Sequence, residues 1–227
     1  MLGNVIDRDV TAVPGTNPPA DEGAIRFAYG LSPLAGAALP DPVFAELRAW
    51  RRICRRLGLI GRDPRRYGGL GFGNVSVRDP VDATRFVISA SQTGGARDLR
   101  AADLVRINAC NLARFWVEAE GRKPPSSETL THAMVYAADP EVRWILHAHS
   151  PDIWRSTARL ELPCTDATVP YGTRAMANAV AALLAGSTAR PLVFTTLGHE
   201  DGVFACGADA RGTGLALIER LADALDA

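Results

Sequence analysis

The chain of 227 residues has only four histidines, His132, His147, His149 and His199, and three of them fall between Ser126 and Ser150. That stretch, SSETLTHAMVYAADPEVRWILHAHS, also carries Glu128. The residues leading into His147 and His149 are aromatic, β-branched and aliphatic, which predicts a strand entered after the Asp139-Pro140 turn. Residues two apart on a strand face the same side, so both imidazoles look the same way. Zinc takes imidazole nitrogens at about 2.0–2.1 Å in a tetrahedral arrangement, and such a pair supplies half of it. An isolated HxH can equally be a polar pair at a sheet edge near a cleft. His199, in TTLGHEDG, adds a third candidate where another apolar strand runs into a turn. Three imidazoles with an open fourth position suit a catalytic zinc rather than a structural one. Manganese, iron or cobalt could take the same place.

Glu128 is the candidate acid/base. Pro125-Ser126-Ser127-Glu128 opens an apolar periodic run through Met134 and Tyr136, so Ser126 is expected to cap a helix with Glu128 in its first turn. A glutamate there can simply complement the helix dipole. Beside a metal that stabilises an enolate-like anion, it can also move the proton. His132, one turn further on, reads as an orienting or core residue rather than a ligand.

The elements that must position these groups can be followed along the chain. Residues 1–40 read as an irregular N-terminal arm and 41–227 as one domain. Asp41-Pro42 begins a helix with Phe44, Leu47, Trp50, Cys54 and Leu57 on its apolar stripe and Gly58 as its stop. Its other face and the following loop hold Arg51, Arg52, Arg55, Arg56, Arg62, Arg65 and Arg66. These form a solvated basic face, or one used by a phosphorylated substrate or an acidic neighbouring subunit. The glycine-rich run from Gly68 to Gly73 and Asn74 leads into a strand, Val75–Arg78, that pairs with 85–89 as a hairpin. Its glycines allow backbone N–H groups close to an anion, although such loops often only turn. Ser91-Gln92-Thr93-Gly94-Gly95 is a second loop of this kind.

Short strands follow at 104–108 and 114–118, then the helix and strand of the histidine stretch and a short helix over 152–160 capped by Ser150-Pro151. An alanine-rich helix over 175–184 precedes a hairpin of 192–197 and 203–206, with His199 at its tip. An amphipathic helix over 215–225 closes the chain. Interspersed hairpins and helices predict an α/β fold with a mostly antiparallel sheet flanked by helices.

Composition narrows the chemistry. A formal net charge of +0 gives no reason to expect nucleic acid or an anionic membrane surface as a partner. The four cysteines are irregularly spaced with no CxxC pair, as expected of reduced thiols in a cytoplasmic protein. No segment reads as a signal peptide or membrane span. Lys123, in a Gly-Arg-Lys-Pro-Pro turn, is the only lysine among 25 basic residues and lacks the apolar surroundings that favour Schiff-base chemistry. Activation of a carbonyl by a metal is therefore the better expectation.

With GNVS, PSSE, HAHS and LGH placed in this order, the chain from about Asp41 onward resembles the class II aldolase/adducin family, which includes fuculose-phosphate aldolases and ribulose-phosphate 4-epimerases. The resemblance implies an α/β/α sandwich around a mostly antiparallel sheet and a homotetramer with active sites between subunits. It implies His147, His149 and His199 as zinc ligands and Glu128 as catalytic acid/base. It further implies Gly73, Asn74, Thr93, Gly94, Ser126 and Ser127 as phosphate-binding positions. Two departures stand out. Glu200-Asp201 follows the third histidine where the family has glycine, and the short loop Leu162–Ala167 lacks the tyrosine that aldolases use as proton donor across the interface; Tyr171 lies in the next segment.

The expected function is metal-dependent retro-aldol cleavage of a small hydroxy-carbonyl compound, sugar phosphates included, through a metal-stabilised enediolate. The alternatives are epimerisation, dehydration or decarboxylation at the same metal site, or a non-catalytic assembly module like the adducin head.

Overall fold

The computed structural model describes residues 23–226; the part of the expected arm before Gly23 lies outside the described residues. In chain order the elements are β1 (Ala28–Ser32), α1 (Asp41–Arg56), β2 (Gly61–Arg62), β3 (Gly71–Phe72), β4 (Asn74–Arg78), β5 (Phe86–Ser89), β6 (Leu104–Asn111) and β7 (Trp116–Gly121). There follow α2 (Thr129–Ala138), β8 (Trp144–His149), α3 (Pro151–Arg155), β9 (Cys164–Thr165), α4 (Arg174–Ala185), β10 (Leu192–Thr196), β11 (Gly202–Gly207) and α5 (Ala210–Leu225). Nine strands form one sheet in the order β1-β7-β6-β5-β4-β8-β11-β10-β9, and β2 pairs with β3 beside it. Only the outermost pairs, β1 on β7 and β9 on β10, are parallel. The mostly antiparallel sheet expected of the sequence is therefore present.

Side-chain alternation divides the core in two. Val75, Val77, Leu146, Ala148, Val203 and Ala205 face one side, where Leu47 and Cys54 of α1 and Leu217 of α5 complete a buried cluster. Ile145, Phe204 and Cys206 face the other, against Leu130 and Val135 of α2 and Met176, Val180 and Leu184 of α4. Each valine, leucine, isoleucine, phenylalanine or methionine among them contributes about 1.5–3 kcal/mol when fully removed from water, which holds the helix layers on the sheet. Strand β8 lies between β4 and β11 with all six residues buried. Its odd-numbered residues share the face that receives α2, so the strand period delivers His147 and His149 to that side.

Several sequence expectations shift. Ala28–Ser32, inside the stretch read as an irregular arm, is a strand that adds to β7. The strand expected from Arg114 starts at Trp116, because Asn111 Oδ1 accepts the Arg114 N–H at 2.9 Å and Phe115 takes a φ of 54°, which holds the chain in a turn. Helix α3 stops at Arg155, well before Leu160. The hairpins β4–β5 and β10–β11 form as expected. Among the described residues no helix is long and apolar enough to cross a membrane.

Candidate metal centre

Strand β8 and the β10–β11 connection bring the three expected histidines together. One ring nitrogen from each of His147, His149 and His199 can be chosen so that all lie within 4.8 Å of one another. All three residues are buried, at 1%, 0% and 2% exposure, so His199 is tucked inward rather than displayed at a hairpin tip. The connection folds back because the His199 N–H donates to Thr196 O and the Gly202 N–H to His199 O, both at 3.0 Å. His147 Nδ1 lies 3.1 Å from Val203 O, a contact that assigns the proton to Nδ1. Its Nε2 is buried without a partner among the described residues. An imidazole so oriented by a backbone carbonyl has the usual state of a metal-ligating histidine. Burial pushes the pKa values of His147 and His149 well below the ordinary value, His199 adding to the effect, so both rings are neutral and able to ligate.

Each imidazole is backed by an aromatic ring. His147 stacks on Phe204 at 4.2 Å, Tyr67 meets His149 edge-on at 4.8 Å, and Tyr171 stacks on His199 at 4.5 Å. Sequence reasoning missed Tyr67, whose only signal was an aromatic just ahead of the glycine-rich run. Its hydroxyl donates to Asp201 Oδ2 at 2.5 Å, and Arg66 lies 3.3 Å from the same oxygen. Asp201, one of the unexpected acids after His199, is thus held as part of the wall beside His149, while Glu200 is exposed.

Glu128 joins the cluster from the α2 side. Its Oε1 is 3.6 Å from His199 Nδ1, its Oε2 accepts from Thr131 Oγ1 at 2.7 Å, and the residue is 2% exposed. Helix α2 starts at Thr129, later than expected. Ser126 acts just ahead of it, its carbonyl accepting from Thr129 N at 3.0 Å, and Glu128 occupies the boundary position instead of the first turn. His132 points elsewhere. Its Nδ1 is 2.7 Å from Ser76 Oγ, which also contacts Tyr136 Oη at 2.7 Å, and burial pushes the imidazole pKa down to about 3. It is a core residue, as its helical position suggested. Lys123 ion-pairs with Asp103 at 2.7 Å, so its amine is already engaged with a carboxylate.

The polar loop residues lie against the same strand. Asn74 is the register partner of His147, and its Nδ2 donates to Ser126 Oγ at 2.9 Å. Gly73, at φ 73°, sits where a Cβ would be 2.9 Å from His147 O, so only glycine lets β4 approach β8 this closely. Gly94 packs on Phe72, the residue before Gly73: a Cβ there would lie 2.4 Å from Phe72 O. Ser127 is buried beside Glu128. Thr93 is buried too, but its hydroxyl proton is committed to Ala90 O at 2.7 Å, so what it offers a ligand is backbone.

One basic-face assignment is corrected. Arg51 is 2% exposed and donates from Nη2 to Thr93 O at 2.7 Å and Gly94 O at 2.8 Å. It stands four residues after Leu47 and three before Cys54, so it shares their stripe; the spacing was the available signal.

Residues 63–222 match the family model for the class II aldolase and adducin N-terminal domain. An L-fuculose 1-phosphate aldolase is similar in structure, with TM-score 0.61 and 19% identity over 82% of this chain and 84% of that one. A sugar-phosphate aldolase from Thermotoga maritima gives 0.59 and 14% over 82% and 94%. YgbL from Klebsiella pneumoniae, provisionally described as an aldolase/epimerase/decarboxylase, gives 0.57 and 20% over 81% and 86%. At these identities the likeness to solved structures concerns the fold.

Proposed function

The chain belongs to the class II aldolase and adducin family, and from that premise we propose that it is a metal-dependent carbon–carbon lyase performing retro-aldol cleavage of a small hydroxy-carbonyl substrate. The observation that carries this reading is the convergence of three buried imidazoles with Glu128 3.6 Å from one of them. The donor set fits a divalent transition ion, zinc or equally manganese, iron or cobalt. Such an ion supplies Lewis-acid polarisation of the carbonyl and hydroxyl oxygens.

The chain's own residues do the rest. Val203 O fixes the His147 ring, and Phe204, Tyr67 and Tyr171 hold the rings from behind and keep water from them. Glu128, steadied by Thr131, takes the proton of the substrate hydroxyl as the carbon–carbon bond breaks and returns it to the carbon that loses the bond. Gly73, Asn74, Thr93, Gly94, Ser126 and Ser127 line the place for a substrate phosphoryl group. The same proposal makes the protein a cytoplasmic homotetramer with its site near subunit contacts; the unpaired state of all four cysteines agrees with a reducing compartment.

The test is Glu128→Gln assayed on a panel of phosphorylated and free hydroxy-carbonyl compounds, with metal content measured by elemental analysis. Turnover is expected to vanish with metal content intact, and undiminished turnover refutes the role. A second reading, epimerisation, dehydration or decarboxylation, is favoured by the missing interface tyrosine. Tyr171 is stacked on His199 within the chain instead of arriving from another subunit. Product masses from the same panel separate the two. Absence of stoichiometric metal would point instead to an adducin-like assembly role.

A further inference from the structure

The loop over residues 91–98 and the guanidinium behind it form an arrangement the proposed chemistry does not require. Arg51 reaches the loop from α1 and binds only backbone carbonyls: Thr93 O, Gly94 O and, from Nη1, Arg97 O at 3.4 Å. Among the described residues no carboxylate pairs with it. The nearby acids are engaged elsewhere, Asp98 with Arg52 at 2.5 Å and Asp103 with Lys123 at 2.7 Å. Burying an unpaired cation costs several kcal/mol, whereas a leucine at this point of the stripe would fill the space without that cost. Asp98 and Asp103 offset that cost only in part, each being paired with another cation, so a further anion close by would be favoured.

Peptide planarity says where. In a trans peptide the C=O and the following N–H point in opposite directions. With the carbonyls of Thr93 and Gly94 turned towards Arg51, the N–H groups of Gly94 and Gly95 turn away from it. Two neighbouring donors turned to one side can hold an anion between them. The loop is pinned on both sides of the candidate site: Gly71 N donates to Gln92 Oε1 at 2.9 Å, and Ser91 N donates to Pro124 O at 3.0 Å, two residues before Ser126. Gly94 itself rests on Phe72, next to Gly73 and Asn74.

We propose that Arg51 is a positioning and specificity-determining residue, its buried charge orienting the Thr93–Gly95 peptides and biasing the pocket in front of them towards phosphorylated substrates. This rests on the reading of these loops as the phosphoryl pocket of the proposed lyase.

Inorganic phosphate is the probe. Its binding is titrated by calorimetry into the metal-loaded protein and, because phosphate can also bind a metal directly, into the chelator-stripped protein. Wild type is expected to bind phosphate saturably in both forms. Arg51→Met is expected to weaken it by roughly tenfold or more, and Arg51→Lys by less than Arg51→Gln, because lysine keeps the charge but loses the forked geometry. A merely structural Arg51 predicts lower thermal stability with phosphate affinity unchanged, and that result overturns the proposal. So does wild type that binds no phosphate once stripped of metal. If Arg51→Met fails to fold, the order of Arg51→Lys and Arg51→Gln carries the test, and equal affinities overturn the charge argument. Phosphate binding needs no turnover, so a protein that binds phosphate through Arg51 yet cleaves nothing loses the lyase reading while this one stands.

Discussion

His132 should make the protein acid-sensitive in a way that can be separated from its metal chemistry. The imidazole is 0% exposed, bonded to Ser76 Oγ, and its pKa is pushed down to about 3 from an ordinary 6.5 by burial. An unfolded chain protonates this residue near its ordinary value, so between about pH 6.5 and pH 3 the unfolded state binds the extra proton. The contribution of His132 is therefore fully present above pH 6.5 and is lost as pH falls. Each unit is worth about 1.4 kcal/mol, so the loss is about 2 kcal/mol at pH 5 and approaches about 5 kcal/mol near pH 3.

The assay is urea unfolding of metal-stripped protein at about pH 7.5 and pH 5, comparing wild type with His132→Gln. Glutamine cannot charge, so the variant should be less stable at the higher pH but lose about 2 kcal/mol less than wild type on acidification. His147 and His149 remain in both proteins; His132 helps to lower the pKa of His147, so its removal eases acid loss in the same direction. Equal acid losses in the two proteins would refute the argument that His132 is held neutral by its surroundings.

Other perturbations have defined outcomes. Gly73→Ala places a methyl 2.7 Å from Ile60 Cγ1 and 2.9 Å from His147 O at a positive φ; thermal melts should show a loss of more than about 2 kcal/mol, with metal content reduced because β8 is displaced. Tyr67→Phe removes the hydroxyl donor from Asp201, leaving Arg66 as the other contact. Denaturation should register a cost of about 1.5–3 kcal/mol, and no change would mean that the hydroxyl does not hold the carboxylate. Chelation should lower the melting temperature, and the stability lost should grow with the free-ion concentration used for loading, reaching about 4 kcal/mol at a thousandfold excess over Kd; a melt unchanged by chelation would count against a bound ion.

The placement of the candidate site was legible in the sequence where local periodicity decides geometry. His147 and His149 share a face because a strand repeats every two residues, and α1 was visible from its apolar stripe. Arg51 was misread because charge was taken to mean solvent, although its spacing from Leu47 and Cys54 put it on the buried stripe. Non-local contacts were out of reach. Nothing in Ala28–Ser32 announces a partner 88 residues along the chain, yet it pairs in register with Trp116–Glu120. Tyr67 beside His149 and Tyr171 on His199 likewise depend on how loops cross the ends of strands.

The rings that back the imidazoles have a practical consequence. Two of them are phenols carried on connecting segments, while the third, Phe204, is fixed in the middle of the sheet. Because the phenols stand within 5 Å of the candidate ligand rings, a paramagnetic ion such as cobalt, if held there, would dim their emission as it arrives, which gives a built-in clock for occupancy.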